Sequence, residues 1–331
     1  MSNKAELNFI LCGGAGINIG KLLRTSKLND RVAEASYLAL DASGNNPIPK
    51  ELNIPLERVA VSGDASTLAN GSGKVRATNY DAAQPFVNDA LTKHTPGTFN
   101  VVVFSGSGGS GSILGTLVIR WLKQNGFKFI AIIINDHSST IEMENAVKTM
   151  TGLAVQTQPN FLNAAIPHIE FKNTPDKTRG EIDRAVVNRI TTLSLFATGK
   201  NEEQDLQDVL NVLDYSNAYK VPAALSRISF YDNPENYKGP APVAVVSLFS
   251  SSSDIKACFE GTHIRSTGVF APGTVLPEGV TQMHMILDHG EGHKKLELES
   301  EDLEKRSVTT RTTYVAQKDM SKGADNNGIP L

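Results

Sequence analysis

The stretch that decides the fold is VVVFSGSGGSGS, residues 101–112, in which a buried apolar run passes directly into alternating glycine and serine. The next segment, ILGTLVIRWLKQNG (113–126), has the apolar spacing of a helix that stops at Gly126. A flexible linker is not expected between two core elements of one sheet. Glycines let backbone N–H groups approach an anion closely, and a helix N-terminus favours negative charge. The loop is therefore interpreted as a phosphate cradle.

A second glycine-rich loop, CGGAGINIG (12–20), also lies between a buried strand and a helix. Both loops leave the carboxyl ends of strands, which is where open parallel sheets bind their ligands. Two cradles on neighbouring strands are suited to hold one polyphosphate from two sides. The residues assigned to the cradles are Gly13, Gly14, Ala15, Gly16, Ser107, Gly108, Gly109, Ser110, Gly111 and Ser112.

The rest of the chain alternates short apolar runs with helical patterns, which predicts an α/β fold with a mostly parallel sheet. Strands are expected at 7–12, 35–40, 58–61, 101–104 and 129–134, and helices at 16–25, 81–93, 113–124 and 140–150. A capping box at Thr178 and Glu181 opens one long amphipathic helix, 178–198. Further strands at 226–231, 243–250, 266–271 and 282–288, with a short helix at 254–259, indicate a second, smaller, strand-rich α/β domain.

Composition excludes several classes of protein. The 331 residues are 40% hydrophobic and 20% charged, as in an ordinary globular protein, and the net charge is −3. No basic field supports direct binding to nucleic acid or to a membrane. Two cysteines form neither a disulfide framework nor a zinc motif, which favours the reducing cytoplasm. The longest apolar run, 129–134, is far too short to cross a bilayer.

The sequences of the two loops also limit the class of nucleotide-binding protein. Neither loop has the Lys-Ser/Thr pair of a P-loop, so a Walker-type NTPase is disfavoured. An NAD(P)-dependent Rossmann oxidoreductase is the main alternative, because Gly14 and Gly16 open a helix and Asp41 ends the second strand, at a suitable distance for a ribose contact. Its third glycine would fall at Ile19, and it needs no second cradle.

At these residues the chain resembles the tubulin/FtsZ superfamily. GGAGINIG resembles the first loop of that family, and SGGSGSILGTLVI its glycine signature, with Ser107, Ser110 and Ile113 in place of Gly, Thr and Gly. The resemblance implies a Rossmann-like GTPase domain that binds GTP or GDP with Mg²⁺, with Asn18 contacting guanine. The compact length and divergent glycines look most like a bacteriophage tubulin, a cytomotive filament that positions phage DNA. A plasmid-segregation tubulin is the alternative within the family.

The resemblance also implies roles for residues in the other loops. LALDAS places Asp41, Ala42 and Ser43 near the phosphates, with Asp41 holding magnesium through water. GSGKVRATNYDAA resembles the loop that senses the γ-phosphate. STIEMENA resembles the ribose loop, and FLNAA and the start of the long helix resemble the base-reading positions. The residues implied by these four motifs are Gly71, Ser72, Gly73, Asn79, Glu142, Asn163 and Asp183.

After the long helix, DLQDVLNVL resembles the loop that carries the hydrolytic acids, which assigns the catalytic role to Asp205 and Asp208. Glu203 stands where the family has Asn. Taken alone, NEEQDLQD is equally a solvated helix start, because acids favour helix N-termini. A non-catalytic nucleotide-binding scaffold, in which Asp208 is structural, therefore remains a third hypothesis.

The length of the helix adds a physical argument. A helix over 178–198 is about 30 Å long, with Asp183 near its start and Asp208 past its end. A carboxylate must come within about 3 Å to orient an attacking water. If Asp183 reads the base, Asp208 is therefore either idle or acts on the nucleotide of the next subunit. In the second case the head-to-tail contact does not close, so it generates a filament. GTP hydrolysis to GDP and phosphate would then be activated by polymerisation.

These expectations divide the chain into a nucleotide-binding domain (1–176), the central helix (177–199), the catalytic loop and following helix (200–220), a C-terminal α/β domain (221–290) and a charged extension (291–331). The acidic run ELESEDLE (297–304) in that extension is a candidate for contact with the neighbouring subunit. The expected partner is thus the protein itself, in the cytoplasm of a host bacterium.

Overall fold

The structure is a computed structural model of the chain, and it describes residues 7–26, 34–61, 64–68, 80–197, 203–289, 296, 298–306 and 308. Ten strands form one sheet in the order β11-β10-β12-β9-β8-β7-β6-β1-β2-β3. The strands are β1 (Leu7–Cys12), β2 (Ser36–Asp41), β3 (Leu56–Arg58), β6 (Phe99–Ser105), β7 (Lys128–Asp136), β8 (Ile166–Asn173), β9 (Leu225–Tyr231), β10 (Ala244–Phe249), β11 (Ile264–Val269) and β12 (Gln282–Leu287). A separate hairpin consists of β4 (Ala60–Val61) and β5 (Asp64–Leu68).

The sheet is parallel from β3 through β9 and antiparallel only where β12 pairs with β9 and β10. This architecture confirms the predicted α/β fold with a mostly parallel sheet. The four strands expected in the smaller region, β9 to β12, continue the same sheet through the pairing of β8 with β9. The carboxyl ends of β1, β6, β7 and β8 consequently lie along one edge.

Helices cover both faces of the sheet. They are α1 (Gly13–Thr25), α2 (Tyr80–Lys93), α3 (Ser110–Gln124), α4 (Thr140–Gln156), α5 (Arg179–Ser194), α6 (Leu206–Leu213) and α7 (Tyr215–Ala218). Apolar residues of α1, α5 and α6 pack on one face, and those of α2, α3 and α4 on the other. Strands enclosed on both faces are continuous apolar runs, which is why β1, LNFILC, is buried along its whole length. Each large aliphatic side chain buried in this way contributes about 1.5–3 kcal/mol.

One strand was missed, and two expectations about these elements were wrong. Strand β8, IPHIEFKN, escaped prediction because it contains Pro167 and alternates apolar residues with His168, Glu170 and Lys172. The segment expected as a helix at 254–259 holds only the end of a short 3₁₀ turn, Ser252–Asp254. Helix α5 ends at Ser194 rather than 198, and its length is therefore about 24 Å.

The early end of α5 has a local cause in its hydroxyl side chains. Thr192 donates to the carbonyl oxygen of Asn188, and Ser194 donates to that of Thr191. These side chains compete for the carbonyl groups of the last turn. The backbone closes with two three-residue turns, from Leu195 to Thr192 and from Phe196 to Leu193, and the α-helix does not continue.

A charged cluster fixes the end of α6 beneath the amino edge of the sheet. Asp214 follows α6 and accepts a hydrogen bond from Lys123 Nζ at 2.9 Å and another from Lys128 Nζ. Lys123 lies at the end of α3 and Lys128 is the first residue of β7. The side chains of Lys123 and Asp214 are only 6% and 5% exposed, so the pair is effectively desolvated. The cluster places α6 at the edge opposite the carboxyl ends of the strands.

A buried histidine in the antiparallel part of the sheet makes stability depend on pH. His284 is fully buried on β12, with Nδ1 2.8 Å from Ser247 Oγ and the rings of Phe249 and Phe259 at its edges. Nε2 has no hydrogen-bond partner in the described part of the chain. Burial lowers the pKa of His284 from 6.5 to about 4.

The unfolded chain therefore binds a proton at His284 below pH 6.5 that the folded chain takes up only near pH 4. Stability is complete above pH 6.5 and falls as the pH is lowered, by about 2 kcal/mol at pH 5 from this group alone. We expect His284→Gln to flatten the pH dependence of urea unfolding between pH 6.5 and 5, with substitution of the exposed His289 as the control. Equal slopes in wild type and His284→Gln would contradict the assignment.

No helix in the described part of the chain is both long enough and apolar enough to cross a membrane.

Candidate functional site

The two glycine loops meet at the carboxyl edge of the sheet. Helix α1 begins at Gly13, directly after β1, and α3 begins at Ser110, five residues after the end of the neighbouring strand β6. Gly13 has a φ of +71°, and a Cβ placed on it would lie 2.8 Å from Gly111 Cα. Real Cβ atoms do not approach other atoms so closely, so only glycine allows the loops to touch. The two loops therefore form one continuous backbone surface at two helix N-termini, which is suited to an anion.

Serine side chains shape the second loop from within. The Ser107 hydroxyl accepts a hydrogen bond from the Asp136 N–H at 2.6 Å and donates to the Asp136 carbonyl at 3.1 Å. The Ser112 hydroxyl donates to the Gly109 carbonyl at 3.0 Å, and Ser105 accepts from the Gly108 N–H at 3.1 Å. These hydroxyls tie the loop to itself and to the end of β7. Backbone N–H groups are thus the main donors left to a phosphate.

A cleft of about 430 Å³ opens beside this surface, within the usual size range for small-ligand sites. It lies at the carboxyl ends of β6, β7 and β8 and at the start of α5. The lining residues are Ala15, Ser105, Ser107, Gly108, Ile134, Asp136, Ser138, Glu142, Asn173, Thr174, Pro175, Lys177, Arg179 and Asp183. Five of the residues selected from sequence are in this set: Ala15, Ser107, Gly108, Glu142 and Asp183.

Two carboxylates face the cleft from different helices. Glu142, in the first turn of α4, accepts hydrogen bonds from the Ser139 hydroxyl at 2.7 Å and the Ser138 hydroxyl at 3.1 Å. Asp183 lies in the second turn of α5, and burial raises its pKa although Arg179 lies 4.0 Å away. Half-buried carboxylates of this kind accept hydrogen bonds from ligand hydroxyl or N–H groups.

The loop from β8 to α5 is part of the cleft that sequence reasoning missed. Asn173, Thr174, Pro175 and Lys177 all line it. Asn173 donates to Asp136 at 3.3 Å, and its Oδ1 is a buried acceptor with no partner among the described residues. The available signal was the polar turn NTPDKT (173–178) before a capping box, but it could not be placed without recognising β8.

Asn163, by contrast, lies away from the cleft. It precedes β8, whereas the cleft residues follow that strand. The eight residues of β8 separate the two ends by about 23 Å. The exposed Asn163 adopts a left-handed backbone conformation with φ +46°. The geometry therefore does not support its expected contact with the same base as Asp183.

Asn18 and Asp41 are not among the residues that line the cleft, although the sequence assigned both to the nucleotide. Asn18 is the sixth residue of α1 and lies beyond the first turn of that helix. Asp41 is 1% exposed, and its carboxylate accepts from the Ala42 N–H at 2.8 Å and from Asn46 Nδ2 at 2.6 Å. The amide of Asn46 lies close to Gly14, since a Cβ added there would be 3.1 Å from it. The Asp41–Asn46 pair therefore lies beside the first glycine loop.

Asp41 and its neighbours do not form a set of ligands for magnesium. Both oxygens of Asp41 are engaged, and Arg58 lies 3.9 Å from one of them. The described residues contain no group of three or more His, Cys, Asp or Glu placed to hold a metal ion. The arrangement does not fit a direct protein site for Mg²⁺.

The remaining candidates from the sequence are Ser43 and the residues expected near the γ-phosphate. Ser43 lies just after β2, where its hydroxyl accepts from the Asn45 N–H at 3.2 Å. Gly71, Ser72, Gly73 and Asn79, expected near the γ-phosphate, lie outside the described residues.

The expected hydrolytic acids lie on a helix whose far end is held at the edge of the sheet opposite the cleft. Asp205 is the N-cap of α6 and accepts from the Asp208 N–H at 2.9 Å. Both side chains are exposed. At the other end of α6, Asp214 is bonded to Lys128, the first residue of β7, whereas the last residue of that strand, Asp136, lines the cleft.

The nine residues of β7 span about 26 Å, and Asp208 lies only about 9 Å along α6 from Asp214. Even an α6 directed straight at the cleft would not bring Asp208 to a ligand bound there.

Comparison with known proteins finds relatives in sequence and in structure. A phage tubulin-like protein of Pseudomonas phage PhiPA3 is 25% identical over 272 residues, which is 81% of this chain and 80% of the relative. A solved structure of the phage tubulin PhuZ with GDP aligns with a TM-score of 0.80 at 18% identity, covering 93% of each chain. A protofilament of TubZ from bacteriophage PhiKZ aligns with a TM-score of 0.79 at 18% identity, covering 92% of this chain and 93% of that one. No family model matches the chain.

The fold and the paired glycine loops are those of the tubulin/FtsZ superfamily, in agreement with the resemblance in the sequence. Within that superfamily the chain is similar to the phage tubulins, PhuZ and its relatives.

Proposed function

We propose that this protein binds GTP in the cleft and hydrolyses it to GDP and phosphate as it polymerises head to tail. One observation carries the proposal: the nucleotide-sized cleft lies at the carboxyl edge of the sheet, whereas Asp208 lies on α6, whose end is bonded to the amino edge, too far away to reach a ligand in that cleft. Stacking a second subunit on the cleft edge would bring an amino edge, with its acids, over the bound nucleotide. Such a contact is heterologous and continues indefinitely.

The walls of the cleft suit a nucleoside triphosphate. The joined glycine loops would hold the phosphates through backbone N–H groups and two helix N-termini. Glu142 and Asn173 offer acceptors for ribose hydroxyls. Asp183 is placed to accept from adjacent N–H donors on a base, a pattern that guanine has on its Watson–Crick edge. Asn18 would contact the guanine, as the resemblance implies, and Asp41 and Asn46 lie beside the first loop.

Asp208 would orient the attacking water on the neighbour's nucleotide, and Asp205 would fix the start of α6 by capping it. Catalysis in this form is positioning and charge stabilisation, as in other phosphoryl transfers. Mg²⁺ would be held by the nucleotide's phosphates and water, and would supply neutralisation of phosphate charge.

The cellular role follows from the relatives rather than the geometry. The PhuZ and TubZ structures are those of phage proteins, and one of them is a protofilament. We propose that this chain likewise forms filaments, and that these position phage DNA in the infected cell without touching it directly. A plasmid-segregation role is the alternative. Contact between the C-terminal extension and the next subunit belongs to the same proposal.

The test is the dependence of GTP hydrolysis on protein concentration. A site completed by a second subunit predicts that phosphate release per subunit rises steeply at the concentration where light scattering first reports filaments. A constant rate per subunit from well below that threshold would contradict the shared site. Parallel runs with ATP and NAD should give neither assembly nor turnover.

A further inference from the structure

The helix of residues 298–306, here called the C-terminal helix, contacts the rim of the cleft within the same subunit. Glu299 on this helix is 8% exposed and forms an ion pair with Lys172 of β8. Arg306 Nη1 donates a hydrogen bond to the His137 carbonyl at 3.1 Å. Leu296, just before the helix, packs against the apolar cluster that contains α3 and α4.

Both anchor points adjoin residues that line the cleft. Lys172 immediately precedes Asn173, and His137 lies between Asp136 and Ser138. Strands β7 and β8 are paired here, with Asp136 opposite Asn173, so the two anchors belong to one wall. The C-terminal helix therefore clamps the ends of the two strands that form this wall.

One hydrogen bond within that wall is long. Asn173 donates to Asp136 at 3.3 Å, the long end of the hydrogen-bond range, whereas Asp136 is also bonded to Ser107 and accepts from the Ser138 N–H at 2.8 Å. The side chain of Glu299 is 10% exposed and that of Lys172 is 31% exposed, so loss of Lys172 leaves a costly unpaired charge at Glu299. Movement of the helix would thus be transmitted to the residue positions that face the ligand.

We propose that the C-terminal helix is an intramolecular latch on the nucleotide cleft, in which Glu299 and Arg306 act as positioning residues for the wall formed by Asp136, Ser138 and Asn173. The proposal rests on the cleft being the nucleotide site. It gives the acidic run 297–304 a role inside its own subunit: an attached helix holds bound nucleotide, and a detached helix releases it faster.

The experiment measures binding and release of a fluorescent GDP analogue by the full-length protein, below the concentration at which it assembles. Glu299→Gln and Arg306→Ala should each weaken binding about fivefold or more, within the usual range of coupling between linked sites, mainly through faster release. The matched control is Glu301→Gln, which removes an exposed charge from the same helix. Its affinity should equal that of wild type.

A charge exchange separates the latch from a general loss of folding. Lys172→Glu and Glu299→Lys should each weaken binding, and the double variant should recover affinity and release rate while thermal unfolding stays close to wild type. Wild-type affinity in both Glu299→Gln and Arg306→Ala, or no recovery in the exchange, would overturn the latch. Absence of GDP binding by the wild type would instead overturn the proposed nucleotide site.

Discussion

Asp208→Asn should leave nucleotide binding intact and reduce GTP hydrolysis about 10²- to 10³-fold, because a positioned carboxylate contributes about this much to activating a water. Asp208 is exposed and cannot reach its own subunit's cleft, so the substitution has no direct path to GTP affinity. The measurement is phosphate release at a protein concentration where filaments form, with binding followed separately. Filaments of this variant should persist longer than those of wild type.

The control is Gln207→Ala, which alters the neighbouring exposed position of the same helix and should retain the wild-type rate. Unchanged hydrolysis in Asp208→Asn would leave the acid with a purely structural role at the start of α6.

Gly13→Ala should reduce GTP affinity at least about 100-fold, because a small displacement at a preorganised site has effects of this size. The added Cβ would lie 2.8 Å from the backbone of Gly111 on the other loop, and the left-handed φ of +71° adds about 1 kcal/mol of strain or more. The nearest atoms, Cα and N of Gly111, belong to the backbone and not to a flexible side chain, so the two loops must separate to make room for the Cβ. Equilibrium binding of GTP, together with urea unfolding, distinguishes a damaged site from a damaged fold.

Gly44→Ala is the matched control, since Gly44 follows the second strand and a Cβ there meets nothing within 4 Å. Affinity in that variant should be unchanged. Wild-type affinity in Gly13→Ala would show that the contact between the two loops is dispensable.

The two variants together test whether the site is shared. Asp208→Asn keeps its cleft but lacks the acid, whereas Gly13→Ala keeps the acid but lacks the nucleotide. In mixed filaments, the acid of the second variant meets the GTP of the first, so hydrolysis should reappear on mixing. A site contained within one subunit predicts no recovery in mixtures whose light scattering shows assembly.

The parts of the fold that could be predicted were those whose sequence pattern has a single physical cause. β1 and the core of β7 are continuous apolar runs because helices cover them on both sides. The glycine loops were recognisable because close backbone approach requires glycine, and a Cβ added to Gly13 or Gly16 would lie within 3 Å of backbone atoms. Their exact contact, loop against loop, depends on the pairing of β1 with β6, which is a tertiary fact.

The cleft was predicted less completely for the same reason. β8 was not recognised because of Pro167 and its polar alternation, so the loop that follows it was missed, and Asn163, which precedes the strand, was assigned to the base together with Asn18 and Asp183. Asp205 illustrates a different limit: capping and catalysis favour the same residue type at the same place. Only the hydrogen bond from the Asp208 N–H shows that Asp205 performs the first of these.

The run of seven parallel strands from β3 to β9 has a further consequence, because it makes the two strand-end edges of every subunit different from each other. The proposed filament would therefore be polar. At one end, the terminal nucleotide would have no acid from a neighbouring subunit and would not be cleaved, while at the other end the acids would face solvent. The terminal triphosphate at the first end would therefore persist longer than those behind it.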